Sequence, residues 1–236
     1  MRSLSHLDMT TVPQHVVQRG SEGQSCFLRP EDYRWYLHQL LEETQKHGCL
    51  VHAYALMSNH VHLLITANIK GAIEASMRSL AHRYVTYFNH TYRRNDPLWE
   101  EGYKSCFVDI QSYLLTCYRY IELKPVRATL VADPEQYIWT SYHANALGAL
   151  DSLIRPHQEY LALGSTPEER QASYRELFRQ VIGDQRLKEI REHIELQRTL
   201  GTRQFREAVE AELERAARMR LQRRPRRRYS TPYDYW

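Results

Sequence analysis

Two residues apart in a run of β-forming side chains, His60 and His62 present their imidazoles to one side of a strand, because successive strand residues alternate faces. At roughly 7 Å between Cα atoms, two side chains of that reach can converge on one metal ion. Val61, Leu63 and Ile65 then face the other way. The pair fits a structural role at least as well, and His52, on the neighbouring run, receives no role. A second pattern lies in residues 111–124, QSYLLTCYRYIELK. On a helix, Leu114, Cys117, Tyr118 and Ile121 form one buried stripe, whereas Tyr113, Tyr120 and Lys124 return to another side. Periodicity therefore does not force Tyr120 into the core. A phenol in that position can attack phosphorus if a nearby metal or cation helps it lose its proton. Taken alone, a structural tyrosine serves the pattern too.

Those residues need elements to hold them. Residues 11–18 read as a strand closed by Arg19 and Gly20. Pro30 suits the first turn of a helix, with Tyr33, Tyr36, Leu37, Leu40 and Leu41 on one face and Gly48 as its stop. Residues 50–57 and 60–65 are β-like runs separated by Ser58 and Asn59, the signature of a tight hairpin. A second helix over 71–92 carries Ile73, Met77, Leu80, Ala81, Tyr84 and Phe88 on one stripe. A fourth strand at 106–110 precedes a helix over 112–124 that Pro125 ends. The order strand, helix, strand, strand, helix, strand is that of an α+β, ferredoxin-like split βαβ antiparallel sheet, here with an added helix bearing Tyr120. The expected organisation is a domain at 10–135, an irregular connection at 136–164, a helical extension at 165–222 and a basic, disordered tail at 223–236. Thr166, Pro167, Glu168 and Glu169 mark the start of the extension.

Bulk properties narrow the partners. Of 236 residues, 17 are Tyr and only 5 Phe, and phenols can stack on bases as well as pack. Net charge is +4, but seven arginines and no acid lie between Arg218 and Arg228, so the remainder is slightly acidic and the basic character belongs to the tail. Such a tail binds phosphates without regard to sequence, or simply stays solvated. The cysteines Cys26, Cys49, Cys106 and Cys117 form no close pairs, which argues against a zinc knuckle and suits a reducing compartment. With a mean hydropathy of −0.64 and no long apolar run, the chain reads as cytoplasmic and not membrane-bound.

In combination, NHVHLLIT, preceded by HAYALMS and followed by CYRYIELKPVRA, resembles the REP-associated tyrosine transposases of the single-tyrosine HUH superfamily. HVVQRG, LWEEGYKSC, TSYHANALG and PHQEYLALG are similar to the same family, so the resemblance spans about residues 11–180. It implies that His60 and His62 hold Mg²⁺ or Mn²⁺ and that Tyr120 attacks a scissile phosphate. The product would be a 5′-phosphotyrosine link and a free 3′-OH, reversible by a second strand's 3′-OH. The implied partner is single-stranded DNA near an imperfect palindrome folded as a hairpin, and the longer relatives imply a monomer. Candidate DNA contacts are Arg19, Tyr103, Lys104, Arg127 and the tail residues Arg223, Arg224, Arg226, Arg227 and Arg228. Three features depart from the family pattern. Lys124 stands where an asparagine is usual, and a protonated lysine has no lone pair for a metal. Gly20, Ser21, Glu22 and Gly23 replace a Gly-Asn-Asn-Arg loop, and Glu101 and Gly102 replace Gly-Arg. Lys124 is then a candidate phosphate contact or activator of the phenol. A decayed or domesticated DNA-binding protein of the same fold is the alternative reading. An RNA phosphoesterase with a structural Tyr120, leaving no covalent adduct, is a third.

Overall fold

The computed structural model describes residues 9–222. Chain order is β1 (Gln14–Arg19), α1 (Pro30–His47), β2 (Cys49–Met57), β3 (His60–Ala67), α2 (Ala72–Tyr92), β4 (Lys104–Phe107), α3 (Ile110–Glu122) and α4 (Lys124–Arg127). Five helices follow: α5 (Tyr142–Leu147), α6 (Gln158–Leu161), α7 (Pro167–Arg179), α8 (Asp184–Glu195) and α9 (Arg203–Gln222). The four strands pair in the order β2-β3-β1-β4, all antiparallel, which is the split βαβ arrangement.

Local chemistry fixes each element. Asp32 in the first turn of α1 accepts the backbone N–H groups of Leu28 (2.8 Å) and Arg29 (2.9 Å), and Gly48 ends the helix at φ 72°. Met57 pairs with His60, leaving Ser58 and Asn59 as a two-residue turn. Thr166 and Glu169 form a reciprocal capping box at the start of α7. His52 sits at a register shift in β2 and bonds Thr66 Oγ1 (2.9 Å) and the Arg155 carbonyl (2.6 Å), so it serves structure.

Several boundaries differ from the expectation. The first strand begins at Gln14 rather than residue 11, since Pro13 has no N–H for the ladder. The fourth strand runs over Lys104–Phe107, ending before the expected residue 110, because the Asp109 side chain accepts from Gln111 N and draws Ile110 into α3. Pro125 does not terminate that helix. The helix ends at Glu122, and Pro125 lies in the first turn of α4, where a missing N–H costs nothing.

Both faces of the sheet are covered. Val16, Val61, Leu63 and Ile65 pack against Tyr36 and Leu40 of α1 and Met77, Leu80 and Tyr84 of α2. Val17, Ala53, Ala55 and Leu64 pack on the opposite side against Leu114, Cys117, Tyr118 and Ile121 of α3. That second cluster continues through Tyr142, Tyr160, Tyr174, Ile190 and Leu200. At its centre the buried Glu122 carboxylate accepts bonds from Ser141 Oγ (2.6 Å), Asn145 Nδ2 (2.8 Å) and the Tyr174 hydroxyl (2.8 Å). Burial outweighs those donors and raises the Glu122 carboxyl to about 7. All four cysteines are buried and unpaired. Among the described residues, no helix is long and apolar enough to cross a membrane.

Candidate active site

Strand alternation carries His15, Val17 and Arg19 to the α3 face of β1, and His60, His62 and Leu64 to the same face of β3. The register pairs Val17 with His62 and Arg19 with His60, so His15 lies diagonally beside His62. The result is a cluster of three imidazoles at the end of the sheet. His60 and His62 have ring centroids 5.0 Å apart, and His15 and His62 5.1 Å. His15 Nε2 and His62 Nδ1 share a hydrogen bond of 2.8 Å. His60 Nδ1 lies 2.6 Å from Asn59 Oδ1 in the hairpin turn.

Tyr120 projects from α3 onto this cluster, its ring centroid 6.1 Å from that of His62 and 5.7 Å from that of His15. It is only 2% exposed, although its helical stripe does not demand burial. The cover comes from α8. Tyr113, on the same stripe, donates to Glu189 of α8 (2.7 Å) and lies under the Arg186 guanidinium. Arg19, His60, His62, Tyr120 and Lys124, together with Arg191, Ile194 and Glu195 of α8, line a half-open cavity of about 290 Å³.

Charge in this cavity is unusual. Burial first, and the Lys124 ammonium second, depress His15 and His60 to about 3 and push His62 well below its ordinary value. All three imidazoles are therefore neutral at neutral pH, each with a lone pair. Burial raises the Tyr120 phenol, and the guanidinium groups of Arg127 and Arg191 oppose that rise. Arg127 lies 4.3 Å from the ring centroid and also donates to the Tyr120 carbonyl, whereas Lys124 Nζ is 5.7 Å from the centroid. Burial, then Arg127, Arg191 and Arg19, lower Lys124 to about 8. Glu195 forms ion pairs with Arg19 and with Lys104 Nζ (2.5 Å), and the Arg19 bond is the main cause holding its carboxyl down near 2.

The structure thus brings His60, His62, Tyr120, Lys124 and Arg19 around one cavity, with Lys104 at its edge through Glu195. Arg127, in α4, stands against the Tyr120 ring and donates to the Tyr120 carbonyl of α3, rather than lying on an open DNA-facing surface. Tyr103 is elsewhere, in a groove with Ile69, Ile73, Phe107 and Leu213. Arg223, Arg224, Arg226, Arg227 and Arg228 lie outside the described residues. Sequence reasoning missed His15, Asn59, Arg191 and Glu195. Strand alternation from Arg19 back to His15 could have found the first. Nothing in the α8 sequence marks Arg191 or Glu195, whose role depends on where that helix docks.

A metal would find two imidazoles here. His62 Nε2 is buried without a hydrogen-bond partner and belongs to a residue lining the cavity, the arrangement of an unused ligand atom. Among the described residues, no group of three or more His, Cys, Asp or Glu side chains could hold an ion. A two-imidazole set, completed by solvent or phosphate oxygens, fits Mn²⁺ better than Mg²⁺.

Residues 10–124 match the family described as "Transposase IS200 like". Among solved structures, the chain is similar to a REP-associated tyrosine transposase bound to a REP hairpin, with TM-score 0.49, 13% identity, and coverage of 66% of this chain and 93% of that one. It is also similar to a putative transposase from Deinococcus radiodurans R1, with TM-score 0.37, 17% identity, and coverage of 58% and 95%. No curated protein is significantly similar to the chain. The matched span runs from just before β1 to Lys124 and so takes in His15, His60, His62 and Tyr120. Residues 10–124, just under half of the chain, are thus similar to the IS200-like transposases.

Proposed function

We propose that this protein is a transposase, a metal-dependent endonuclease and strand transferase for single-stranded DNA that acts beside hairpin-forming palindromes. The observation that carries the reading is one cavity shared by the Tyr120 phenol and the His60 and His62 imidazoles. His60 and His62 would hold Mn²⁺ or Mg²⁺, which would supply Lewis-acid polarisation of the scissile phosphate. The chain's own groups do the rest. The Tyr120 oxygen forms a bond to phosphorus, the bond from phosphorus to the 3′ oxygen breaks, and that oxygen leaves as a 3′-OH. Arg127 and Arg191 favour the phenolate that this attack needs. Lys124, which lines the same cavity, is assigned to a phosphate oxygen rather than to the phenol. Arg19 and Lys104 hold the flanking backbone once Glu195 gives way. A second strand's 3′-OH reverses the step, with no external energy source. The protein acts as a monomer, and the tail arginines add non-specific backbone contacts.

A second reading is favoured by one observation: the Glu195 carboxylate already occupies Arg19 and Lys104, as it would in a protein that no longer cuts. Incubation with hairpin-bearing single-stranded DNA and Mn²⁺, followed by a denaturing gel, separates the two. The expected result is a denaturation-resistant adduct that Tyr120→Phe abolishes while hairpin binding persists. His60→Ala and His62→Ala should each reduce cleavage to background. Binding without any adduct would establish the silent reading. An adduct mapping to Tyr113 or Tyr118 would overturn the assignment of the nucleophile.

A further inference from the structure

We infer that His15 is a positioning residue for His62: it accepts the Nδ1 proton of that ring and leaves the Nε2 lone pair facing the cavity. The inference rests on the metal-assisted reading above and deepens it. A neutral imidazole carries one proton, so the 2.8 Å bond between His15 Nε2 and His62 Nδ1 has two possible senses. If His15 donates, the proton of His62 sits on Nε2, and that nitrogen can bind no cation. If His62 donates, its Nε2 is a bare lone pair, buried, without a partner among protein atoms. His62 lines the cavity, and His15 does not. The second sense therefore puts the ligand atom where an ion fits and leaves the remaining proton on His15 Nδ1, away from it; that nitrogen is without a protein partner in either sense.

The neighbouring ligand is wired in the same way, with less ambiguity. Asn59 Nδ2 donates to the Gly23 carbonyl at 3.3 Å, which turns its Oδ1 towards His60. An amide oxygen only accepts, so His60 Nδ1, 2.6 Å away, must donate and its Nε2 must be unprotonated. Both candidate ligands thus have Nδ1 tied to an acceptor on the protein side. Ligating histidines generally give their second N–H to such an acceptor, and losing it costs about 10–100-fold in metal affinity. Here the acceptor for His62 is another imidazole, supplied by β1, the strand beside it.

The test is Mn²⁺ titration of the full chain, read by electron paramagnetic resonance, for wild type, His15→Phe and His15→Gln. Phe keeps the ring's bulk and removes the acceptor; Gln restores a carbonyl acceptor. His15→Phe should weaken Mn²⁺ binding by about 10–100-fold, with His15→Gln recovering most of the loss. Nitrogen-15 NMR of the wild-type imidazoles in Mg²⁺ should show the His62 proton on Nδ1, a readout that needs no variant to fold. Wild-type binding that is unchanged in His15→Phe, or a His62 proton on Nε2, would overturn the role of His15 alone. Three nitrogens coupled to Mn²⁺ would make His15 a ligand and overturn it too. A wild-type chain that binds no Mn²⁺ would remove the metal reading and this role together.

Discussion

On one face of the sheet, Val61, Leu63 and Ile65 meet α1 and α2, helices interleaved with the strands in chain order. On the other, His60, His62 and Leu64 meet α3 and chain that arrives later, up to Leu200. The polar groups differ accordingly. On the first face Gln18 meets a single hydroxyl, that of Tyr36, at 3.2 Å. On the second, Glu122 binds three donors from two further helices, and three imidazoles cluster beside a tyrosine. The first layer also buries the Asp32 and Glu43 carboxylates, both on α1. The second differs in gathering imidazoles and a phenol around a cavity, where burial shifts their protonation.

The contrast is strongest in stability. Glu122→Ala orphans the Ser141, Asn145 and Tyr174 donors at about 1–3 kcal/mol each, so a loss of at least about 3 kcal/mol is expected in urea denaturation. Tyr36→Phe, on the other face, should cost about 1 kcal/mol. Equal losses would erase the distinction. Acid–base behaviour sharpens it next. Folding raises the Glu122 carboxyl from 4.5 to about 7, so folding favours its protonated form. That contribution is fully present below pH 4.5 and is lost as pH rises through 7, falling by about 1.4 kcal/mol for each pH unit between those values. The stability of Glu122→Gln should lack this decline, and a parallel decline in both proteins would show that another group causes it. The smallest effect concerns the mouth of the cavity. Glu195→Gln weakens the hold on Arg19 and Lys104, both partly exposed, and should tighten single-stranded DNA binding by at most about fivefold in fluorescence anisotropy. Weaker binding in that variant would mean that Glu195 orients the two cations for DNA instead of occupying them.

The same contrast explains what the sequence could reveal. Alternation in His60–Ala67 and the stripes of α1 and α2 are local signals, and they led to the split βαβ order, to His60 and His62 on one face, and to Tyr120 off the main stripe of α3. The strand and helix ends that shifted did so around Pro13, Asp109 and Pro125, where one residue's hydrogen bonding decides the boundary. Burial of Tyr120 was not legible, because it depends on α8 docking more than sixty residues further along. The partner of Glu195 was equally hidden. Charge pattern marks Arg19 and Lys104 as free cations for DNA, and only the packed chain shows a carboxylate between them.

The ion pair between Arg19 and Glu195 joins residues 176 positions apart. Closing so long a loop carries an entropic cost that local contacts do not, so contacts of this kind form late as a chain folds. During synthesis the strands and α3 leave the ribosome well before α8 does. The phenol therefore meets Arg191, and the cavity acquires its wall, only after α8 has emerged. Assembly order therefore matters: an unfinished polypeptide can hold Tyr120 and both histidines and still lack the wall that α8 gives their cavity.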